Sequence, residues 1–140
     1  MIFLDTSVLI SVAQTSHTEH RTSRELWNLC SVQKTAISAH TLAEIYNVLT
    51  SMPPALRLSP RNAVLALETF LKRLTPIALT PEEYVEVLRS AGRLGHAGGM
   101  IYDALNLASA RKINAEQIYT WNLRHFKMIA PDLAGRIVTP

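Results

Sequence analysis

The chain begins with a short apolar segment that runs directly into a carboxylate. Ile2, Phe3 and Leu4 precede Asp5, and a second apolar stretch starts at Val8. A short run that is apolar at every position is typical of a strand buried on both faces, as in a parallel sheet. The second stretch suits a helix, so Asp5 is predicted where a strand ends and a helix begins. In open α/β sheets, ligands bind at this edge.

The rest of the chain alternates between predicted strands and helices. Further strands are predicted at 35–38, 76–79 and 117–120, with an edge strand at 136–139. Helices are predicted at 8–14, 20–33, 41–51, from residue 60, at 81–94 and at 100–112, with a turn or short helix at 122–126. Ser59-Pro60 and Thr80-Pro81 mark two of these helix starts, and Leu29 is expected on the inner side of the helix at 20–33. This alternation predicts an α/β fold in which a central parallel sheet of four to five strands is flanked by helices on both faces. We expect a single domain over residues 1–140.

Composition is consistent with one folded domain. The 140 residues are 48% hydrophobic and 18% charged, which favours a packed core over disorder. Lys and Arg exceed Asp and Glu by 14 to 11, an excess that permits a nucleic-acid partner without requiring one. The single cysteine, Cys30, excludes an internal disulfide. No stretch approaches the ~20 apolar residues of a membrane span, so we expect a cytoplasmic protein without a membrane partner.

Asp103 lies within an otherwise apolar helical segment that begins at Met100. It shares a narrow polar stripe with Asn106, three residues further along the helix. A carboxylate in such surroundings is costly unless it is paired with a cation or fully hydrogen-bonded. Asp103 is therefore a candidate functional acid. The alternative is a first-turn acid that the helix dipole stabilises.

Asp5 and Glu44 are two further candidate acids, and each has a structural alternative. Asp5 stands where Asp is a good helix cap, and capping is compatible with a functional role. Glu44 lies opposite the apolar face of its predicted helix, a position typical of a solvated surface acid. Its helix follows a strand, however, so Glu44 could lean over the same sheet edge as Asp5.

Hydroxyl, amide and basic side chains also occur at the predicted strand ends. Asn122 can act as an uncharged oxygen ligand or as a helix cap. Thr6 and Thr120 offer hydroxyl groups at two strand ends. Arg124 and His125 could contact a phosphate or a base, or could be ordinary surface residues.

If these groups converge, they form a cluster of carboxylates with oxygen-rich neighbours and no thiolate. Such ligands favour Mg²⁺ or Mn²⁺ over structural zinc. These ions activate water and neutralise the charge of a phosphoryl group in transfer. In a mildly basic chain, the acids would hold the metal and the surrounding Arg and Lys would hold phosphates.

Together, these residues resemble the PIN-domain ribonucleases, in particular the VapC-type toxins of prokaryotic toxin–antitoxin operons. Four short motifs carry the resemblance; they occur in the family's order and cover essentially the whole chain. They are Ile2-Phe3-Leu4-Asp5-Thr6-Ser7, Ser38 with Leu42-Ala43-Glu44, Tyr102-Asp103-Ala104-Leu105, and Thr120-Trp121-Asn122 with His125-Phe126. Each motif is weak alone, and the set is specific.

The resemblance implies an acidic pocket at the strand ends, with Asp5, Glu44 and Asp103 as metal-site carboxylates and Mg²⁺ or Mn²⁺ as the cofactor. It also implies hydrolysis of RNA phosphodiester bonds, inhibition by a cognate antitoxin, and a homodimer. Many family members carry a fourth acid where this chain has Asn122. The change removes one negative charge and would weaken a second metal ion, so it leaves open whether one or two ions act.

The favoured hypothesis is a metal-dependent endoribonuclease that acts as the toxin of a toxin–antitoxin pair. In this hypothesis Asn122 contributes to metal binding, directly or through water, and Thr6 or Ser7 orients the metal-binding acids. One alternative is a non-catalytic PIN-like domain that binds RNA or protein, and another is a PIN nuclease that processes RNA outside a toxin–antitoxin system. A phosphoaspartyl phosphatase is disfavoured because Ser7 stands where that class has a second Asp.

Overall fold

A five-stranded parallel sheet forms the centre of the computed structural model, which describes residues 1–140. The strands are β1 (Ile2–Leu4), β2 (Thr35–Ser38), β3 (Thr75–Ile77), β4 (Gln117–Tyr119) and β5 (Ile137–Val138). Their order is β3-β2-β1-β4-β5, and all neighbours pair in parallel. The chain reverses its direction of travel across the sheet between β1 and β4, which is where α/β sheets open a ligand crevice. The predicted fold class is confirmed.

Seven α-helices connect and follow the strands. They are α1 (Thr6–Ala13), α2 (His20–Leu29), α3 (Ala39–Ser51), α4 (Pro60–Leu71), α5 (Pro81–Leu94), α6 (Met100–Lys112) and α7 (Leu123–Ile129), with a 3₁₀ turn at Pro131–Leu133. Helices α4 and α5 begin as predicted, at the caps Ser59 and Thr80. No helix combines the length and the apolar character that crossing a membrane requires.

The prediction for the end of α2 is wrong. The helix ends at Leu29 instead of near residue 33, because Cys30 is extended and a turn follows it. In that turn the amides of Lys34 and Thr35 both donate to the carbonyl of Ser31, which redirects the chain into β2. Leu29, which was expected on the inner side of the helix, is 76% exposed.

The two faces of the sheet carry separate hydrophobic cores. Successive strand residues point to opposite faces, so Leu4 and Phe3 enter different cores although both are fully buried. Leu4 packs with residues of α1 to α4, and Phe3 packs with residues of α6 and α7. Helices therefore cover both faces of the sheet, as predicted.

The helices α1 and α3 start directly after β1 and β2 at the carboxyl edge of the sheet. Asp5 caps α1 by accepting a hydrogen bond from the amide of Ser7 at 3.3 Å. Ser38 caps α3 in the same way by accepting from the amide of His40. Because β1 and β2 are neighbours, these two helix starts lie side by side and place their first-turn side chains at one edge.

Candidate active site

A pocket of about 460 Å³ opens at the carboxyl edge of the sheet. Side chains from the starts of α1, α3 and α6 line it, together with the residue that precedes α7. Among the predicted site residues it brings together Asp5, Thr6, Ser7, Glu44, Asp103 and Asn122. The three candidate acids are far apart in the chain and meet at this one pocket.

Asp5 forms the floor of the pocket and is only 2% exposed. Its Oδ1 accepts a hydrogen bond from Asn106 Nδ2 at 3.0 Å. Its Oδ2 accepts from the amide and the hydroxyl of Ser7, and from Thr120 Oγ1 at 2.9 Å. Every one of these partners is a donor, so both carboxylate oxygens of Asp5 have hydrogen bonds within the fold. Asp5 therefore caps α1 and faces the pocket at the same time.

Glu44 is half-buried and is not the solvated surface acid that its position on the helix suggests. Its Oε2 accepts a hydrogen bond of 2.6 Å from Thr6 Oγ1. The side of α3 that lies away from the apolar core of the protein is the side that faces the pocket. Thr6 thus fixes Glu44, and Ser7 and Thr120 fix Asp5.

A buried polar chain that was not predicted from the sequence connects the two fixed acids. Thr41 Oγ1 lies 3.2 Å from Thr6 Oγ1 and donates to Asn106 Oδ1, while Asn106 Nδ2 donates to Asp5. Thr41 is fully buried and Asn106 is 1% exposed. In the sequence, the polar stripe that Asn106 shares with Asp103 was the one signal that could have identified Asn106 as part of this chain. These bonds hold the orientations of Asp5 and Glu44 relative to each other.

A second network ties the end of β4 to α2 through Trp121, which was also not predicted as a functional residue. The Trp121 amide donates to Ser7 Oγ at 3.0 Å. Its indole Nε1 donates to Ser23 Oγ at 2.9 Å and lies 3.2 Å from Ser11 Oγ. Ser7 donates in turn to Asp5, so the placement of this acid depends on packing as distant as α2.

Asp103 differs from the other two acids because no hydrogen-bond donor stabilises its charge. Its side chain is 18% exposed, and its one basic neighbour is His125, whose Nδ1 lies 3.9 Å away. Burial and, to a smaller extent, the charges of Asp5 and Glu44 together raise the pKa of Asp103 from 3.8 to about 7. Its place in the first turn of α6 does not compensate for these effects. The pocket therefore holds more negative charge than its protein surroundings neutralise.

The donor set of the pocket fits a hard divalent cation. No Lys or Arg forms an ion pair with Asp5, Glu44 or Asp103. No group of three or more His, Cys, Asp or Glu side chains is close enough to share one ion. Mg²⁺ is commonly held by one or two carboxylates and completed by water and substrate phosphates. Two of these acids are therefore enough for a first contact with such an ion.

The remaining predicted residues occupy different places around the pocket. Asn122 is exposed and precedes α7, but its side chain makes no capping hydrogen bond and lines the pocket. Thr120 is fully buried beneath Asp5. His125 lies at the rim beside Asp103, whereas Arg124 is exposed on α7 outside the pocket lining.

Comparison with known proteins places the chain in a family. The model of the PIN domain family matches residues 2–130. Ribonuclease VapC27 of Mycobacterium tuberculosis is 36% identical over 114 residues, which are 81% of this chain and 79% of that protein.

Solved structures share the fold at lower sequence identity. The crystal structure of VapC20 of Mycobacterium tuberculosis, a Sarcin-Ricin loop cleaving toxin, has a TM-score of 0.72 at 21% identity, over 89% of this chain and 92% of that one. VapBC2 of Rickettsia felis, bound to a DNA fragment from its promoter, has a TM-score of 0.62 at 24% identity, over 92% and 93% of the two chains. The chain thus belongs to the PIN domain family.

Proposed function

We propose that this protein is a Mg²⁺- or Mn²⁺-dependent endoribonuclease and the toxin of a toxin–antitoxin pair. The observation that carries the proposal is the pocket in which Asp5, Glu44 and Asp103 meet without a cationic partner. The relative VapC27 is named a ribonuclease, and VapC20 is described as a toxin that cleaves the Sarcin-Ricin loop. Family membership and the acidic pocket together favour this function over the non-catalytic alternative.

In the proposed site, two of the acids Asp5, Glu44 and Asp103 would contact the metal ion directly and the third would reach it through water, and Asn122 would add a neutral oxygen directly or through water. When bound, the ion supplies charge neutralisation at the phosphate and lowers the pKa of water. Asp103 must lose its proton to act as a ligand, and because its pKa is raised to about 7, the ionised form prevails only above about pH 7. Because Asn122 carries no charge, we infer that a second ion would bind more weakly than the first.

The residues around the acids have positioning roles in this proposal. Ser7, Thr120 and Asn106 hold the Asp5 carboxylate in one orientation, so it needs no reorganisation when substrate arrives. Thr6 does the same for Glu44. His125, 60% exposed at the rim, is suited to contact a phosphate of the RNA backbone.

We further propose a cognate antitoxin and a homodimer as partners. The structural relative VapBC2 supports the first of these, because its name joins a VapC protein to a second component. Exposed apolar side chains on α4, including Val64 at 45% and Leu65 at 52%, offer surface that suits a protein contact. Inhibition of RNA cleavage by the product of a neighbouring small gene would test the antitoxin.

Cleavage of RNA by the purified protein tests the enzymatic part of the proposal. End-labelled RNAs of mixed sequence, together with ribosomal RNA, are incubated with Mg²⁺ or Mn²⁺ and with EDTA. We expect discrete cleavage products whose rate of formation falls at least about 100-fold in EDTA and returns with excess Mn²⁺. Cleavage that persists in EDTA would refute the metal requirement.

A matched acid variant controls for nonspecific loss of charge. Glu86 is an exposed acid on α5 that pairs with Arg93 and does not line the acidic pocket. We expect Glu86→Gln to cleave within about two-fold of the wild type, whereas Glu44→Gln loses activity. If the wild type binds RNA but cleaves none under any metal condition, the non-catalytic alternative is favoured instead.

A further inference from the structure

Two aromatic rings are stacked at the rim of the acidic pocket. The rings of His40 and Tyr102 have centroids 5.0 Å apart and an interplanar angle of 12°. His40 lies in the first turn of α3 and Tyr102 in the first turn of α6, and both line the same pocket as Asp5 and Asp103. The starts of two helices thus bring a pair of π-systems beside the acids.

The packing of the protein core does not account for Tyr102. Its side chain is 46% exposed although one face of the ring lies against His40, and it belongs to neither hydrophobic core. Tyr102 is also the immediate chain neighbour of Asp103. A large aromatic surface is therefore left accessible next to the acid that most lacks a partner.

We propose that the Tyr102–His40 stack is a platform for one unpaired nucleobase of the RNA, on a nucleotide that flanks the phosphate in the acidic pocket. This inference rests on the proposed ribonuclease function. Unpaired bases stack on aromatic side chains, and every base offers a π-face, so the contact tolerates different sequences. A base inside a duplex is covered on both faces by its neighbours. The nucleotide on the platform must therefore be unpaired.

Electrostatics makes such a platform useful at this place. The carboxylates of the pocket repel the RNA backbone, and the one basic side chain within 4.0 Å of any of them is His125. A nucleobase is uncharged, so stacking on Tyr102 attracts the RNA without opposing the negative charge of the site. The platform would hold the nucleotide while the acids act on its phosphate.

A substrate-by-variant comparison tests the platform. The cleavage site of an RNA oligonucleotide is first mapped, and oligonucleotides lacking the base at each flanking position are then prepared. With intact RNA, we expect Tyr102→Leu to lower kcat/KM about 10- to 100-fold and Tyr102→Phe, which keeps the ring, to remain within about three-fold of the wild type. With RNA abasic at the stacked position, the wild type should lose a similar factor and Tyr102→Leu little more. Equal losses on intact and abasic RNA would show a structural role and overturn the inference.

A binding measurement separates this inference from the ribonuclease proposal. RNAs that each carry 2-aminopurine at one position along the oligonucleotide are titrated in EDTA with Asp103→Asn protein, and with Asp103→Asn protein that also carries Tyr102→Phe or Tyr102→Leu, so that no cleavage occurs. Stacking predicts fluorescence quenching at one position, which Tyr102→Phe retains and Tyr102→Leu loses.

The outcomes of the two assays distinguish the two proposals. If the wild type cleaves RNA but neither assay depends on the aromatic ring at residue 102, the inference alone fails. If the protein cleaves no RNA and the quenching still depends on the ring, the ribonuclease proposal alone fails. If Tyr102→Leu does not fold, two other measurements decide whether the platform exists. They are the quenching of 2-aminopurine by Tyr102→Phe and the decrease in kcat/KM of the wild type on abasic RNA, and the absence of both would overturn the inference.

Discussion

Replacing Asp103 with Asn is expected to abolish RNA cleavage and to stabilise the metal-free protein at pH 8. The pKa of Asp103 is raised to about 7 by burial and by the charges of Asp5 and Glu44. The folded state therefore binds a proton more tightly than the unfolded state, and stability falls as the pH rises from about 4 through 7. Asn carries no charge at any pH and removes this cost. Loss of a metal ligand should reduce cleavage by about 100-fold or more.

Urea unfolding at two pH values in EDTA measures this effect. Because Asp103 is partly solvated, we expect the variant to gain only about 1–2 kcal/mol in free energy of unfolding at pH 8. At pH 4, close to the ordinary pKa of 3.8 at which the unfolded carboxyl group begins to ionise, little of this cost has accrued and the two proteins should be nearly equal in stability. Glu86→Gln should change little at either pH. If Asp103→Asn is less stable than the wild type at pH 8, the carboxylate is stabilised in the fold and the assignment is wrong.

The same substitution at Asp5 should also abolish cleavage, but it should destabilise the protein. Asp5 accepts hydrogen bonds from Ser7, Thr120 and Asn106 at both carboxylate oxygens. An Asn side chain has only one acceptor atom, so its amide nitrogen must face at least one buried donor. A buried donor left without an acceptor costs about 1–3 kcal/mol, and the remaining hydrogen bonds lose their ionic strengthening.

We expect Asp5→Asn to lower the free energy of unfolding by about 2–3 kcal/mol at pH 8, measured in the same urea experiment. Asp5 and Asp103 line one pocket and undergo the same change of charge, yet their stability effects should have opposite signs. The comparison distinguishes Asp5, whose carboxylate accepts hydrogen bonds from several donors, from Asp103, whose carboxylate accepts none. A variant of Asp5 as stable as the wild type would mean that the hydrogen bonds around this carboxylate contribute nothing to the fold.

Local sequence signals were sufficient to predict much of the fold. The apolar run at residues 2–4 predicted a strand buried on both faces, and β1 is the central strand of the sheet. Ser59-Pro60 and Thr80-Pro81 predicted helix starts that depend on bonds within a few residues, and both are found. Asp103 was a candidate acid because its helix is otherwise apolar, a feature that is also local. Each of these predictions depended only on residues within one helical turn or one strand of each other.

Features that depend on distant parts of the chain could not be predicted in the same way. Helical periodicity predicted that Glu44 lies on the solvated face of α3. Periodicity within one helix cannot show that α1 and α6 enclose a pocket on that side. The bonds that orient the acids join Asn106 to Thr41 and to Asp5, residues separated by 65 and 101 positions. Similarly, the exposure of Leu29 depends on where the chain turns into β2.

Titration with Mn²⁺, followed by electron paramagnetic resonance of the free ion at pH 8, most directly tests whether the three acids form one metal site. We expect the wild type and Glu86→Gln to bind Mn²⁺ equally, and Asp103→Asn and Glu44→Gln to bind it at least about 10-fold more weakly. Affinity should also decrease below pH 7 in the wild type, as Asp103 becomes protonated. Equal Mn²⁺ binding by the wild type and Asp103→Asn would contradict a metal site at this pocket.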